Sequence, residues 1–219
     1  MAQQIRRVLV WSGWLRFTHG IVVFAVLLML ATGWLIGHSP TVAEDALEVH
    51  YLGASLLLFA IAVRGFLGFF GKGAERFEHM LPRAAELPAI RASLLFYLSL
   101  GKAPLPNWFS HNPLWKALYL LLWLALLALA FTGWLMSGRP ILFGIYLPHF
   151  HGGLATLVAV WVAAHVYCVI LQDVKGDNAD VSAMLNGNRY FTIDKAGLVK
   201  PDVPQVSIKL DDIDPSKRR

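Results

Sequence analysis

Among the eight histidines in this chain, His19, His50, His151 and His165 lie inside long apolar stretches. Imidazole is both a proton carrier and a common metal ligand. An ionisable group in such a stretch is costly, and it turns toward the interior of a helix bundle. The segment "LPHFHGGLATLVAVWVAAHVYCVILQ" (147–172) holds three histidines, and their spacing separates them. Fourteen residues at about 100° each bring His165 to within about 40° of His151, on one helix face and roughly 21 Å away along the axis. His149 points about 160° from His165, which makes it the poorer candidate.

The elements that carry these residues follow from composition. The chain is 57% hydrophobic and 15% charged, against about a quarter charged in a soluble domain. Four stretches reach the roughly 20 apolar residues that a bilayer core requires: Phe17–Gly37, Val49–Phe70, Leu114–Met136 and Pro148–Leu171. The expected fold is an all-α membrane protein, a four-helix transmembrane bundle over 1–172 followed by a polar tail over 173–219. The first span lacks a short apolar core with a small-residue cleavage site, so it reads as an uncleaved helix. "ELPAIRASLLFYLSLGK" (86–102) is too short and too flanked by charge to span, and reads as an amphipathic helix on the membrane surface.

Charge sets the expected direction. The 38–49 segment has no Lys or Arg, and the 137–148 segment has only Arg139. Arg6, Arg7 and Arg16 precede the first span, six basic residues from Lys72 to Lys116 lie between the second and third, and eight follow the fourth. Basic loops stay in the cytoplasm, so both termini are expected there, in a bacterial inner membrane. The net charge of +5 is therefore topology and gives no reason to expect nucleic acid as a partner. The lone Cys168 allows no internal disulfide, and no CxxCH or CxxC motif is present.

Sorted by depth, the histidines form two pairs: His50 with His151 at one membrane face, His19 with His165 at the other. Two axial-ligand pairs in a bundle core suit two b-type haems. Arg16 and Arg64 lie beside the second pair and Arg139 near the first, where each could meet haem propionates or simply record topology. Gly20, Gly53, Gly152 and Gly153 could admit a flat cofactor or close helix contacts. "LATGWLIG" and "AFTGWLMSG" close the first and third spans about 100 residues apart, a short internal repeat. Two other classes compete with the haem reading. A histidine-relay transporter would need a polar pathway that these spans do not offer. A pure membrane anchor would leave the paired histidines without a use.

Several motifs carry a resemblance: "RFTH", "VRGFLGFFGKGAERFEHMLP", "SHNPL", the His-x13-His pair of the fourth span and "DNADVSAMLNGNRY". Over about residues 10–190 the chain resembles the di-haem cytochrome b subunits of membrane-bound nickel–iron hydrogenases. That group is related to bacterial cytochrome b561 and to the cytochrome subunits of formate dehydrogenase. The resemblance implies an electron-transfer subunit of an oxidoreductase complex. Electrons would pass from a periplasmic redox subunit (a hydrogenase small subunit, a dehydrogenase or a c-type cytochrome) through haems at His50/His151 and His19/His165 to quinone. It also implies His111 and Asn112 as quinone contacts, although a helix N-terminal turn with Pro113 explains the same residues. Superoxide- or cytochrome c-linked quinone oxidoreductases of the b561 type are an alternative; they are associated with a histidine in the third span, and Trp115–Met136 contains none. Donor, quinone type, direction of flow and any homo-oligomer are left open by the sequence.

Overall fold

The computed structural model describes residues 4–176, 180–193 and 205–207. Its elements run β1 (Gln4–Leu9), α1 (Gly13–His38), α2 (Ala43–Phe70), α3 (Leu87–Leu98), α4 (Pro113–Met136), β2 (Ile141–Leu142), β3 (Ile145–Tyr146), α5 (Leu147–Lys175), α6 (Asp180–Asn186), β4 (Asn188–Ile193) and β5 (Gln205–Ser207). Helices α1, α2, α4 and α5 are long and apolar enough to cross a membrane. Helix α3 falls within the 86–102 segment expected to be helical. Ser12 caps α1, its hydroxyl accepting from the Leu15 amide at 3.1 Å. Glu44 and Asp45 occupy the first turn of α2, where negative charge complements the helix dipole.

Helix α1 lies along α2, α4 along α5, and α3 packs across α4, while α1 also approaches α5. A central apolar layer of Ala25, Val26, Leu57, Leu126, Leu129 and Val158 joins all four spans. Val158 sits midway between His151 and His165, so this layer separates the two histidine tiers. Large side chains such as Phe24, Trp34, Phe59, Leu121 and Trp134 face outward, as a lipid-facing surface requires.

The "RGFLGFFGKGAERF" motif is a lock between α2 and the loop after it. Arg64 is buried; it donates to the Glu75 carbonyl at 2.8 Å and to Met80 Sδ at 2.6 Å. Its guanidinium also lies 5.3 Å from the Phe77 ring centre. A Cβ on Gly68 would fall 2.2 Å from Phe77, so only glycine lets the loop fold back here. The Glu75 carboxylate accepts from the Ser12 hydroxyl and, at 3.0 Å, from the Lys72 amide, which ties in the start of α1.

A small sheet at the same end was not expected. Strand β1 pairs antiparallel with both β4 and β5, in the order β4-β1-β5. Val8 of β1, with Val10 and Trp11 just after the strand, packs with Leu15, Ala74 and Ala183. Arg189 is fully buried, paired with Asp180 at 2.8 Å and donating to the Trp108 and Phe109 carbonyls at 2.9 and 2.8 Å. Beyond 172, among the described residues, α5 continues to Lys175, and α6 and β4 fold back onto the N-terminal strand. The "DDIDPSKRR" end lies outside the described residues.

Candidate functional site

The structure brings His50 and His151 together at the end of the bundle opposite the terminal strands. Their ring centres are 6.4 Å apart with planes at 61°. His50 Nδ1 lies 2.9 Å from Thr32 Oγ1, and His151 Nδ1 lies 2.9 Å from Thr132 Oγ1. Both threonines belong to the TGW repeat. The glycine that follows each one faces the same ring: a Cβ on Gly33 would be 3.6 Å from His50 Cε1, and one on Gly133 would be 3.3 Å from His151 Cε1. Sequence reasoning passed over these four residues, although the repeated TGW was the signal. Of the glycines it did single out, Gly53 packs against Met29 between α1 and α2, while Gly20, Gly152 and Gly153 have no close neighbour.

His19 and His165 occupy the terminal-side end of α1 and α5. His165 stacks on Trp161, with ring centres 5.0 Å apart at 12°, and meets Trp115 edge-on at 5.4 Å. Its Nδ1 is buried without a hydrogen-bond partner. His149, by contrast, is exposed.

The two tiers differ because the repeat is imperfect. Carried across the repeat, the position of His19 is taken by Tyr119 and that of His165 by Arg64. The loop-side tier uses equivalent residues of both halves, whereas the terminal-side tier uses one from each position.

The two arginines expected near this second tier part company. Arg64 turns into the loop lock and spends its donors there. Arg16 lines a groove with Phe17, Gly20, Ile21, Phe24 and Leu56, beside His19. One of its terminal nitrogens donates to the Leu185 carbonyl, and its Nε is buried without a partner. Arg139 is exposed at the loop-side end.

His111 and Asn112 also separate. Asn112 is the N-cap of α4: its Oδ1 accepts from the Leu114 amide at 3.0 Å, and its Nδ2 donates to the Tyr97 hydroxyl at 2.9 Å. The same hydroxyl accepts from Trp115 Nε1 at 3.1 Å and from Gln172, so it joins α3, α4 and α5. Burial pushes the Tyr97 phenol up to about 12. His111 packs edge-on against Trp11 at 5.0 Å and Tyr119 at 6.1 Å, and its Nδ1 is buried without a partner. Burial, then the positive charges of Arg64, Lys116 and His79, drives its pKa down to about 3, so its imidazole is neutral. Tyr119 lies 6.0 Å from His165, completing a line of rings from His111 to that tier.

Residues 10–187 match the family of prokaryotic cytochromes b561. The chain belongs to the prokaryotic cytochrome b561 family. It is thus a multi-pass membrane b-type cytochrome, a protein of electron transfer whose cofactor is haem b. Among its relatives is the probable Ni/Fe-hydrogenase 1 B-type cytochrome subunit of Escherichia coli K12, 23% identical over 82% of this chain and 89% of that protein. The probable Ni/Fe-hydrogenase B-type cytochrome subunits of Cupriavidus necator and Azotobacter vinelandii are 23% and 26% identical over 86% of this chain, and over 89% and 90% of their own lengths. No solved structure matches the chain.

The residues fit this cofactor. With metal–imidazole bonds of about 2.0 Å and about 1.1 Å from nitrogen to ring centre, two imidazoles sharing one metal stand about 6.2 Å apart. His50 and His151 stand 6.4 Å apart. The buried, unpartnered Nε of Arg16 is a donor of the kind that a haem propionate engages.

Proposed function

We propose that this cytochrome is a transmembrane conduit with two haems b, one held by His50 and His151 and the other by His19 and His165. It connects a redox subunit at the loop-side face with quinone at the terminal-side face. The observation that carries this reading is the 6.4 Å separation of His50 and His151. Each bound haem supplies a one-electron iron couple. The chain's own part is to present the ligands on rigid helices, to interpose the apolar layer around Val158 and to keep water out of the bundle.

Charge distribution supports the orientation: the terminal-side face holds the basic loop and tail and is cytoplasmic, while the loop-side face is periplasmic, in a bacterial inner membrane. The relatives' names support a hydrogenase as the partner at the periplasmic face. Quinone reduction at the cytoplasmic face would take up protons there and contribute to membrane potential. Arg16 is the propionate partner of the terminal-side haem. His111 is the quinone contact, neutral and joined to His165 through Tyr119, whereas Asn112 acts through the helix cap.

The test is reduction of the purified protein by decyl-ubiquinol, followed at the haem absorption bands. The reading predicts that the quinol reduces haem in the wild type. It also predicts that His19→Ala, which removes the terminal-side haem, slows reduction at least tenfold. Full-rate reduction in that variant, or none in a wild type of full haem content, would overturn the quinone assignment.

A further inference from the structure

We propose that Thr32 and Thr132 are positioning residues which fix the tautomer and raise the donor strength of His50 and His151, holding the loop-side haem at a lower midpoint potential than the terminal-side haem. This rests on the reading of His50 and His151 as iron ligands and adds a residue-level cause for the direction of electron flow.

The hydrogen-bond network around each threonine leaves one consistent assignment. Thr32 Oγ1 donates its proton to the Leu28 carbonyl at 2.8 Å, with Met29 at 3.3 Å; Thr132 Oγ1 donates to the Ala128 carbonyl at 2.7 Å, with Leu129 at 3.2 Å. A hydroxyl has one proton. With that proton committed to the helix backbone, the oxygen can only accept from the imidazole 2.9 Å away. Nδ1 of each histidine therefore carries the hydrogen, and Nε2 keeps the lone pair a metal needs. Each imidazole also meets a backbone partner, Met29 for His50 and Leu129 for His151. Gly33 and Gly133 seat the Cε1 edge of the same rings, so each imidazole is fixed at two points.

An acceptor on the far nitrogen makes an imidazole a stronger base toward its metal. Stronger donation favours the ferric state and lowers the potential. The device occurs twice at the loop-side tier, and among the described residues the other tier shows no counterpart: His165 Nδ1 has no hydrogen-bond partner. The asymmetry makes transfer of an electron from the loop-side to the terminal-side haem downhill.

The experiment is a redox titration of purified holoprotein for Thr32→Val, Thr132→Val and the double variant. Thr→Ser at each site restores the hydroxyl. Thr156→Val removes the same kind of helix back-bond (Thr156 Oγ1 to the Gly152 carbonyl, 2.9 Å) where no imidazole is touched. The couple missing from His50→Ala identifies the loop-side haem. In the double variant its reduced-to-oxidised ratio at the wild-type midpoint should rise about tenfold, which is about 59 mV for one electron. The other couple, the serine variants and Thr156→Val should stay at wild-type values. If the valine variants lose the loop-side haem altogether, the serine variants decide: retention at the wild-type potential supports the proposal, and loss overturns it. An unchanged couple in a fully loaded double variant, or an equal shift in Thr156→Val, also overturns it. Failure of the ligand reading itself is distinct, because His50→Ala would then retain both couples.

Discussion

The imidazoles of His50 and His151 face each other across the gap between α2 and α5 at 6.4 Å, each held by a threonine from the preceding helix of its own half. This relationship ties the sequence repeat to the chemistry. It also separates the two proposed ligands from the neighbouring His149 in a way that mutants can read.

His50→Ala and His151→Ala should each lower the haem content from two to one per chain, while exposed His149→Ala leaves it at two. Pyridine haemochrome counts on purified variants check this. Loss of haem in His149→Ala to the same degree would contradict the assignment.

Arg64 and Arg16 make opposite predictions. Arg64→Gln frees the Glu75 carbonyl and Met80, so the 71–83 loop should become more sensitive to limited proteolysis, with both haem potentials within about 18 mV of wild type, a twofold change in redox ratio. Arg16→Gln should instead lower the potential of the terminal-side haem, because a positive charge beside the propionates favours the reduced state, and should also loosen α6 through the lost bond to the Leu185 carbonyl. A large potential shift in Arg64→Gln alone would reverse the two roles.

The quinone assignment rests on His111, and Asn112 provides the contrast. Asn112→Ala should cost about 0.5–2 kcal/mol through the lost cap, read as a lower melting temperature in detergent with little change in quinol KM. His111→Phe should raise quinol KM several-fold with little effect on melting. Because the imidazole is neutral down to about pH 3, that KM change should be flat between pH 5 and 8. An inflection that vanishes in His111→Phe would show a titrating group there.

Acid stability follows from the same residue. His111 has a folded-state pKa of about 3, below the unfolded value of about 6.5, so the unfolded chain binds more protons between them. Its neutral form contributes fully above about pH 6.5, and stability declines as pH falls below that value. Glu86 acts in the same direction lower down. Burial alone would raise its pKa, but Lys116 at 2.5 Å holds it below the usual range, so its contribution is lost only as pH falls through that lowered value. Melting temperatures from pH 7 to pH 4 should fall less steeply in His111→Phe than in the wild type.

The four spans and the depth-sorted histidines were legible because both are local: apolar length marks a span, and a 14-residue separation marks a helix face. The threonines were hidden because threonine in an apolar helix commonly bonds its own backbone, and nothing local distinguishes a residue that also holds an imidazole. The strand Gln4–Leu9 was missed for another reason. Its partners begin at Asn188, and pairing over such a separation leaves no signature in six residues. Arg64 looked like a cofactor arginine because its true partners, Glu75 and Met80, lie in a loop whose folding back depends on Gly68.

The most direct test of the two-haem account is a dithionite-reduced minus oxidised spectrum of the purified protein, quantified as pyridine haemochrome against protein. The account predicts two haems b per chain. A single haem would contradict the terminal-side pair, and a colourless protein after haem-sufficient expression would contradict the conduit itself.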